Sequence, residues 1–187
     1  MKIIPKILKD SWWGNILLGF LAAVIFYYVI LSGVLATDTP IVAVVSGSME
    51  HANPEITYYR WLEESLGYDR SYIDSWPASN GFLVGDMPVV SGGLPLTGFF
   101  SLVNGKEEVK YEVGDVIVYS VSGVSAPIIH RIIKINDDGT YQTKGDNNLG
   151  QWDYEFKVKS DQIKGKVIFI IPKIGYFKVL TNKLFGV

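Results

Sequence analysis

Cysteine is absent from all 187 residues. That excludes disulfides, thiolate metal sites and every mechanism with a cysteine nucleophile, a cysteine transpeptidase included. Histidine is scarce, with only His51 and His130. Charge is also thin: charged residues make up 19% of the chain, the net charge is −2, and there is neither a basic block nor an acidic tail. Nucleic-acid binding therefore has no electrostatic support. No internal repeat and no low-complexity tract appears, and nothing in the sequence calls for a metal or a cofactor.

Apolar residues are plentiful. They make up 48% of the chain, with a mean hydropathy of +0.21, and aromatics add five Trp and eleven Tyr, which suits work at a membrane surface. The length allows one modest domain and an anchor. Trp12 to Ala36 is a run of 25 residues without a charged side chain. As a helix it spans about 37 Å, enough to cross a ~30 Å hydrocarbon core with some tilt. Lys2, Lys6 and Lys9 precede it, and Asp38, Glu50 and Glu55 follow it. The charge bias places residues 1–11 in the cytoplasm, 12–36 across the membrane and 37–187 outside. The run is too long for the apolar core of a cleaved signal peptide, and Leu35-Ala36-Thr37 is a poor cleavage site, so a retained anchor is expected.

Beyond the anchor the pattern predicts a mainly β domain. Ile41 to Val45 is a short β-branched run leading into Ser46-Gly47-Ser48-Met49. Residues 51–110, rich in Pro, Gly and aromatics, read as an irregular insertion or cap with some short strands and a short helix over Thr57 to Leu66. Strands are expected over Val113 to Tyr119, Pro127 to Ile135, Thr140 to Lys144 and Lys166 to Ile171, with Asn136 to Gly139 as a hairpin turn. Residues 174–187 are apolar and basic, and too short to span.

Three places carry candidate chemistry. Ser48 follows a strand and Gly47, whose missing Cβ lets a substrate backbone approach. Ser46, two residues earlier, directs its hydroxyl to the same side. His130 sits in Ile128-Ile129-His130-Arg131-Ile132-Ile133, a titratable residue on an otherwise apolar face, where function overrides packing. His51, in irregular chain, reads as a surface or cap residue. A serine–histidine pair needs a carboxylate to fix the imidazole tautomer, and either Asp146 in Lys144-Gly145-Asp146-Asn147-Asn148 or Asp153 in Gln151-Trp152-Asp153 could serve.

These segments resemble the four ordered boxes of the type I signal peptidases of archaea and of the endoplasmic reticulum. Ser46 to Glu50 is similar to the first, Gly114 to Tyr119 to the second, His130-Arg131-Ile132 to the third, and Lys144 to Asn148 followed by Asp153 to the fourth. The resemblance covers about residues 12–50 and 111–172. It implies one transmembrane helix carrying a small antiparallel, partly barrel-like β domain. It also implies a serine endopeptidase that removes signal peptides, with small residues before the cut, from secretory precursors. By position, Ser48 would be the nucleophile, His130 the base, Asp153 the triad acid and Asp146 its support, with Ser46 and the Ser48 N–H forming the oxyanion site. The two acids lie one residue further apart here than the family spacing. The same resemblance implies an archaeal-type enzyme of the cell membrane, with the bilayer and precursors as its partners and accessory subunits left open. The rival is a non-catalytic, membrane-anchored β-module; it does not explain why Ser48, His130 and two acids fall in that order.

Overall fold

The computed structural model describes residues 12–78, 80–93, 110–175 and 180. The expected cytoplasmic segment 1–11, the stretch 94–109 of the insertion and most of the C-terminal segment 174–187 lie outside these residues.

The apolar run forms helix α1, Trp12–Leu35, whose 24 residues are long and apolar enough to cross a membrane. Its first part, Trp12–Ile25, is regular; Phe26–Leu31 winds as a π-turn, and Ser32–Leu35 closes it as an α-turn. Ala36, in the left-handed region at φ 52°, ends the helix. This end is fastened to the β domain. The Gly92 N–H donates to the Leu35 carbonyl at 2.8 Å, and the Thr37 hydroxyl donates to the Lys164 carbonyl at 2.7 Å. A side chain at position 92 would put its Cβ 2.3 Å from the Ala36 carbonyl oxygen, so only glycine permits this approach.

Among the described residues the β domain is one antiparallel sheet of five strands: β1 Met87–Ser91, β2 Val116–Tyr119, β3 Ile128–Ile135, β4 Tyr141–Lys144 and β5 Ile163–Ile171, in the order β1-β5-β2-β3-β4. The mainly β expectation therefore holds. The β3–β4 hairpin turns on Gly139, at φ 78°, whose N–H donates to the Asn136 carbonyl at 3.0 Å. Ile41 to Val45 does not become a full strand. Ile41 bridges Val89, and the Val42 and Val44 N–H groups donate to Pro88 and Asp86 carbonyls, so the segment runs extended beside β1.

Residues 51–93 hold helix α2, made of Glu55–Arg60 and Trp61–Leu66, helix α3, Arg70–Asp74, and the edge strand β1. The two helices cover one face of β3, where Tyr58, Leu62, Ile73 and Trp76 bury Ile133. The other face carries Ile117, Tyr119, Ile132, Tyr141 and Val158 as a second cluster. The two faces follow the alternation of side chains along each strand, so β3 directs consecutive residues into different surroundings.

Candidate active site

Ser48 lies in the short 3-10 turn Gly47–Met49, entered from Ser46 in extended conformation. Its Oγ is 3.2 Å from Nε2 of His130, to which the hydroxyl donates. Ser46 Oγ is a further 3.2 Å from Ser48 Oγ, on the same side as the sequence spacing suggested. His130 is 4% exposed and stands opposite Ile117 in the β2–β3 register. The structure thus brings together three of the expected residues, Ser46, Ser48 and His130.

The acid facing His130 is neither of the two expected. His130 Nδ1 donates to Oε1 of Glu155, which is fully buried. The other oxygen, Oε2, accepts the Trp152 N–H at 2.6 Å, so the carboxylate is held at both ends. Asp153, proposed as the triad partner, is exposed at the start of the same 3-10 turn, Asp153–Glu155. In a 3-10 turn residues two apart point about 240° apart, so Asp153 and Glu155 cannot both face the imidazole. The segment after the turn is pinned to β4 by the Tyr141–Val158 bridge. The signal that could have found Glu155 is the extra residue between Asp146 and Asp153: it shifts the loop, and a glutamate, one methylene longer, reaches from further along.

Asp146 belongs to a second cluster on the opposite face. Arg131, fully buried, donates to it through Nε at 2.9 Å and Nη2 at 2.7 Å. His51 Nε2 donates to it at 3.0 Å, so of the two readings, surface or cap, His51 takes the second and packs inward from the cap onto this cluster. Burial pushes the Asp146 carboxyl up, but Arg131 and His51 outweigh it and hold the group below its usual range. Arg131 also donates to the carbonyls of Pro77, Ala78 and Gly114, tying the covering helices to β3. Lys144, directly across from Arg131 in the β3–β4 register, is buried as well. Its Nζ donates to the carbonyls of Thr57 and Gly145 and lies 5.0 Å over the Trp61 ring. Burial brings its amine down to about 8, against the pull of Asp146 and Glu155.

A cleft of about 300 Å³ opens at Ser48 and His130. Val44, Val45 and Ser46 line one wall, Ala126, Pro127 and Ile128 another, and the exposed rings of Trp152 and Tyr154 flank it. The site is a hydroxyl, a base and a buried carboxylate in line, beside a mostly apolar groove with extended backbone along it. That arrangement suits nucleophilic attack on an acyl group of an extended chain.

Comparison with known proteins agrees with this chemistry. No family model matches the chain. The protein named signal peptidase complex catalytic subunit SEC11 from Colletotrichum graminicola is 37% identical over 81 residues, 38% of this chain and 46% of the relative. Its namesake from Scheffersomyces stipitis is 37% identical over 92 residues, 44% of this chain and 54% of the relative. The one from Penicillium rubens is 27% identical over 162 residues, 82% of this chain and 68% of the relative. The chain is homologous to signal peptidase catalytic subunits. The resemblance read from the four boxes is therefore borne out. For most of the relatives reported the match spans about half of their length.

Proposed function

We propose that this chain is a membrane-bound serine endopeptidase that removes N-terminal signal peptides from secretory precursors through an acyl-enzyme. The observation that carries the reading is the line from Ser48 Oγ through both nitrogens of His130 to the buried carboxylate of Glu155. In it, Ser48 is the nucleophile, His130 the base and Glu155 the acid that fixes its tautomer, the role expected of Asp153. Ser48 Oγ attacks the scissile carbonyl carbon as its proton passes to His130 Nε2. His130 then returns that proton to the leaving amine, and the mature protein departs. Water repeats the cycle, giving its proton to His130 and its hydroxyl to the acyl carbon, which frees the signal peptide as a carboxylic acid and restores Ser48.

The charge of the imidazolium formed in each half-reaction is balanced by the Glu155 carboxylate, which is itself fully buried, where such a pairing acts most strongly. The Ser48 N–H and the Ser46 hydroxyl supply the oxyanion donors. The precursor lies extended along Val44 to Ser46, with small residues before the cut. Anchoring by α1 supports the substrate class. The domain is fastened to the helix end at Leu35 and Thr37, so a site twelve residues beyond Ala36 stays at the surface where membrane-inserted precursors emerge. In this reading the N-terminus is cytoplasmic and the catalytic domain lies on the outer face. The placement as an archaeal-type enzyme of the cell membrane rests on the sequence; the relatives reported are fungal. Their name makes them subunits of a complex, and accessory subunits for this chain follow by extension.

The test is covalent trapping. The purified chain in detergent is mixed with a precursor bearing an Ala-Xaa-Ala site and, separately, with a serine-directed fluorophosphonate. Cleavage after the second alanine, and mass spectrometry placing the phosphonate on Ser48, are expected. A cleaved precursor with the label elsewhere, or an inert protein with no label, overturns the reading.

A further inference from the structure

The loop after β4 returns to the nucleophile and holds its backbone. Gly145 to Asn148 is a tight turn, closed by the Asn148 N–H donating to the Gly145 carbonyl at 2.9 Å. Asn147, at its tip, makes two bonds across the site. Its N–H donates to the Ser48 carbonyl at 2.8 Å, and its side-chain Nδ2 donates to the Gly47 carbonyl at 3.0 Å. The turn also touches the base. A Cβ at Gly145 would lie 2.8 Å from both His130 Nε2 and the Ser48 carbonyl oxygen, so the chain passes between them at a distance only glycine allows. Nucleophile, base and this turn thus form one packed unit.

The consequence lies in peptide geometry. The Gly47 carbonyl and the Ser48 N–H belong to the same peptide group. That group is planar and trans, so its C=O and N–H point in opposite directions. Fixing the Gly47 carbonyl on the Asn147 carboxamide therefore fixes the Ser48 N–H, turned away from the Asn147 turn. The second bond fixes the next peptide group, which carries the Ser48 carbonyl. Both peptide groups flanking the nucleophile are held by one residue that is not among those lining the cleft.

We propose that Asn147 is a positioning residue for the hydrolysis, aiming the Ser48 N–H at the oxygen that becomes negative in the transition state. The inference rests on the reading of Ser48 as nucleophile. The Glu50 N–H also donates to the Gly47 carbonyl, at 3.1 Å, so the turn keeps a bond when the Asn147 side chain is removed. What is lost is the aim of the N–H, and preorganised donors act on rate more than on ground-state binding. An aspartate of the same size replaces the donating amide with an oxygen facing the Gly47 carbonyl, and so pushes the peptide group out of place.

The experiment compares the full chain in detergent with Asn147→Ala and Asn147→Asp. It measures kcat and KM on a precursor with an Ala-Xaa-Ala site. It also measures affinity for two peptides carrying that sequence, the first ending at it and the second continuing past the cut. One is a boronate, whose adduct with Ser48 places an oxygen where the oxyanion forms. The other has its scissile amide reduced to a methylene amine and has no such oxygen. Asn147→Ala should lose about 10²-fold in kcat, the scale of one oxyanion donor, and Asn147→Asp more. KM should stay within about threefold, boronate affinity should fall with kcat, and the reduced peptide should bind as before. A kcat for Asn147→Ala within about twofold of wild type overturns the proposal, as does an equal fall in affinity for both peptides. Thermal melts accompany each variant, and Asn147→Ser, which keeps a shorter donor, replaces any that does not melt cooperatively. Ser48→Ala runs alongside. If it still turns over, the nucleophile reading has failed; if it is dead and Asn147→Ala is unimpaired, only the present inference has.

Discussion

His130 with Glu155 and His51 with Asp146 are the same pairing of side chains, set on opposite faces of β3 and its neighbours. What differs is the third group. On the cleft face the imidazole's far nitrogen meets the Ser48 hydroxyl, and space for a substrate lies beyond. On the covered face both carboxylate oxygens accept from the Arg131 guanidinium, fully buried and donating also to three carbonyls. A charge that must appear and vanish during turnover sits beside an open cleft. A charge that only holds helices to a sheet is neutralised permanently by a cation. Neighbours, and not the histidine–carboxylate pair itself, separate chemistry from scaffolding.

The comparison breaks first at Ser48. Ser48→Ala and His130→Ala should each lower kcat by up to about 10⁶-fold, because members of a nucleophile–base pair act as a unit. Ser48→Ala should leave the melting temperature unchanged, whereas His130→Ala strips the buried Glu155 carboxylate of its partner and should lower it. Next comes Glu155. Glu155→Gln keeps the shape and the bond to the Trp152 N–H but presents the wrong partner to His130 Nδ1, so a loss of about 10⁴-fold in kcat is expected. Single-turnover kinetics on the precursor reads both. If Glu155→Gln turns over at near wild-type rate, the cleft-side pair is not a relay and the contrast between the faces collapses.

How far the sequence carried this contrast depends on the range of each signal. The long apolar helix, the hairpin at Gly139, and the burial of His130 between apolar neighbours were legible because each rests on a local pattern of hydropathy, turn chemistry or alternation. Ser48 and His130 were legible because serine after a strand and a lone histidine on an apolar face are local misfits. Glu155 was not. Its role depends on the phase of a 3-10 turn and on the reach of one methylene, and neither leaves a periodic trace. The partner of His51 was hidden for a related reason: it lies 95 residues away, and nothing within the irregular segment points to it. Short strands were expected in the insertion, but the place and partner of β1 were hidden, since its pairing with β5 joins residues some eighty positions apart inside a stretch broken by proline.

On the covered face the expected effect is on stability. Asp146→Asn leaves Arg131 without its counter-charge, and uncompensating a buried ion pair costs about 3–5 kcal/mol. Denaturant unfolding at neutral pH should show it, with the catalytic rate of the folded fraction much less affected than in Glu155→Gln. The pH dependence follows from the lowered carboxyl of Asp146. Above its ordinary value of 3.8 the carboxylate is charged in both folded and unfolded chains, and its contribution is fully present. As pH falls below that, the unfolded chain takes up the proton first, and the contribution is lost until the folded carboxyl protonates too. Wild-type stability should therefore gain an acid-side loss below about pH 4 that Asp146→Asn lacks. Equal slopes in the two proteins would show that Asp146 is not held by Arg131 and His51.

The smallest effect expected belongs to the acid that family position favoured. Asp153 is exposed, and Glu155 already occupies the nitrogen it would have served. It opens the turn that carries Glu155, so its one structural contribution is an acidic side chain near the exposed N–H groups of a three-residue 3-10 turn. Interactions of that kind are worth about 0.3–1 kcal/mol at an exposed site and weaken in salt. Asp153→Ala should thus keep kcat/KM within about threefold of wild type, and the deficit should shrink as ionic strength rises. Asp153→Asn, which retains a polar cap without charge, should be closer still. The opposite outcome is the sharp one. If Asp153→Ala falls by orders of magnitude while Glu155→Gln does not, the turn must rotate on substrate binding to bring Asp153 to the imidazole. Glu155 would then be the scaffold and Asp153 the acid that works.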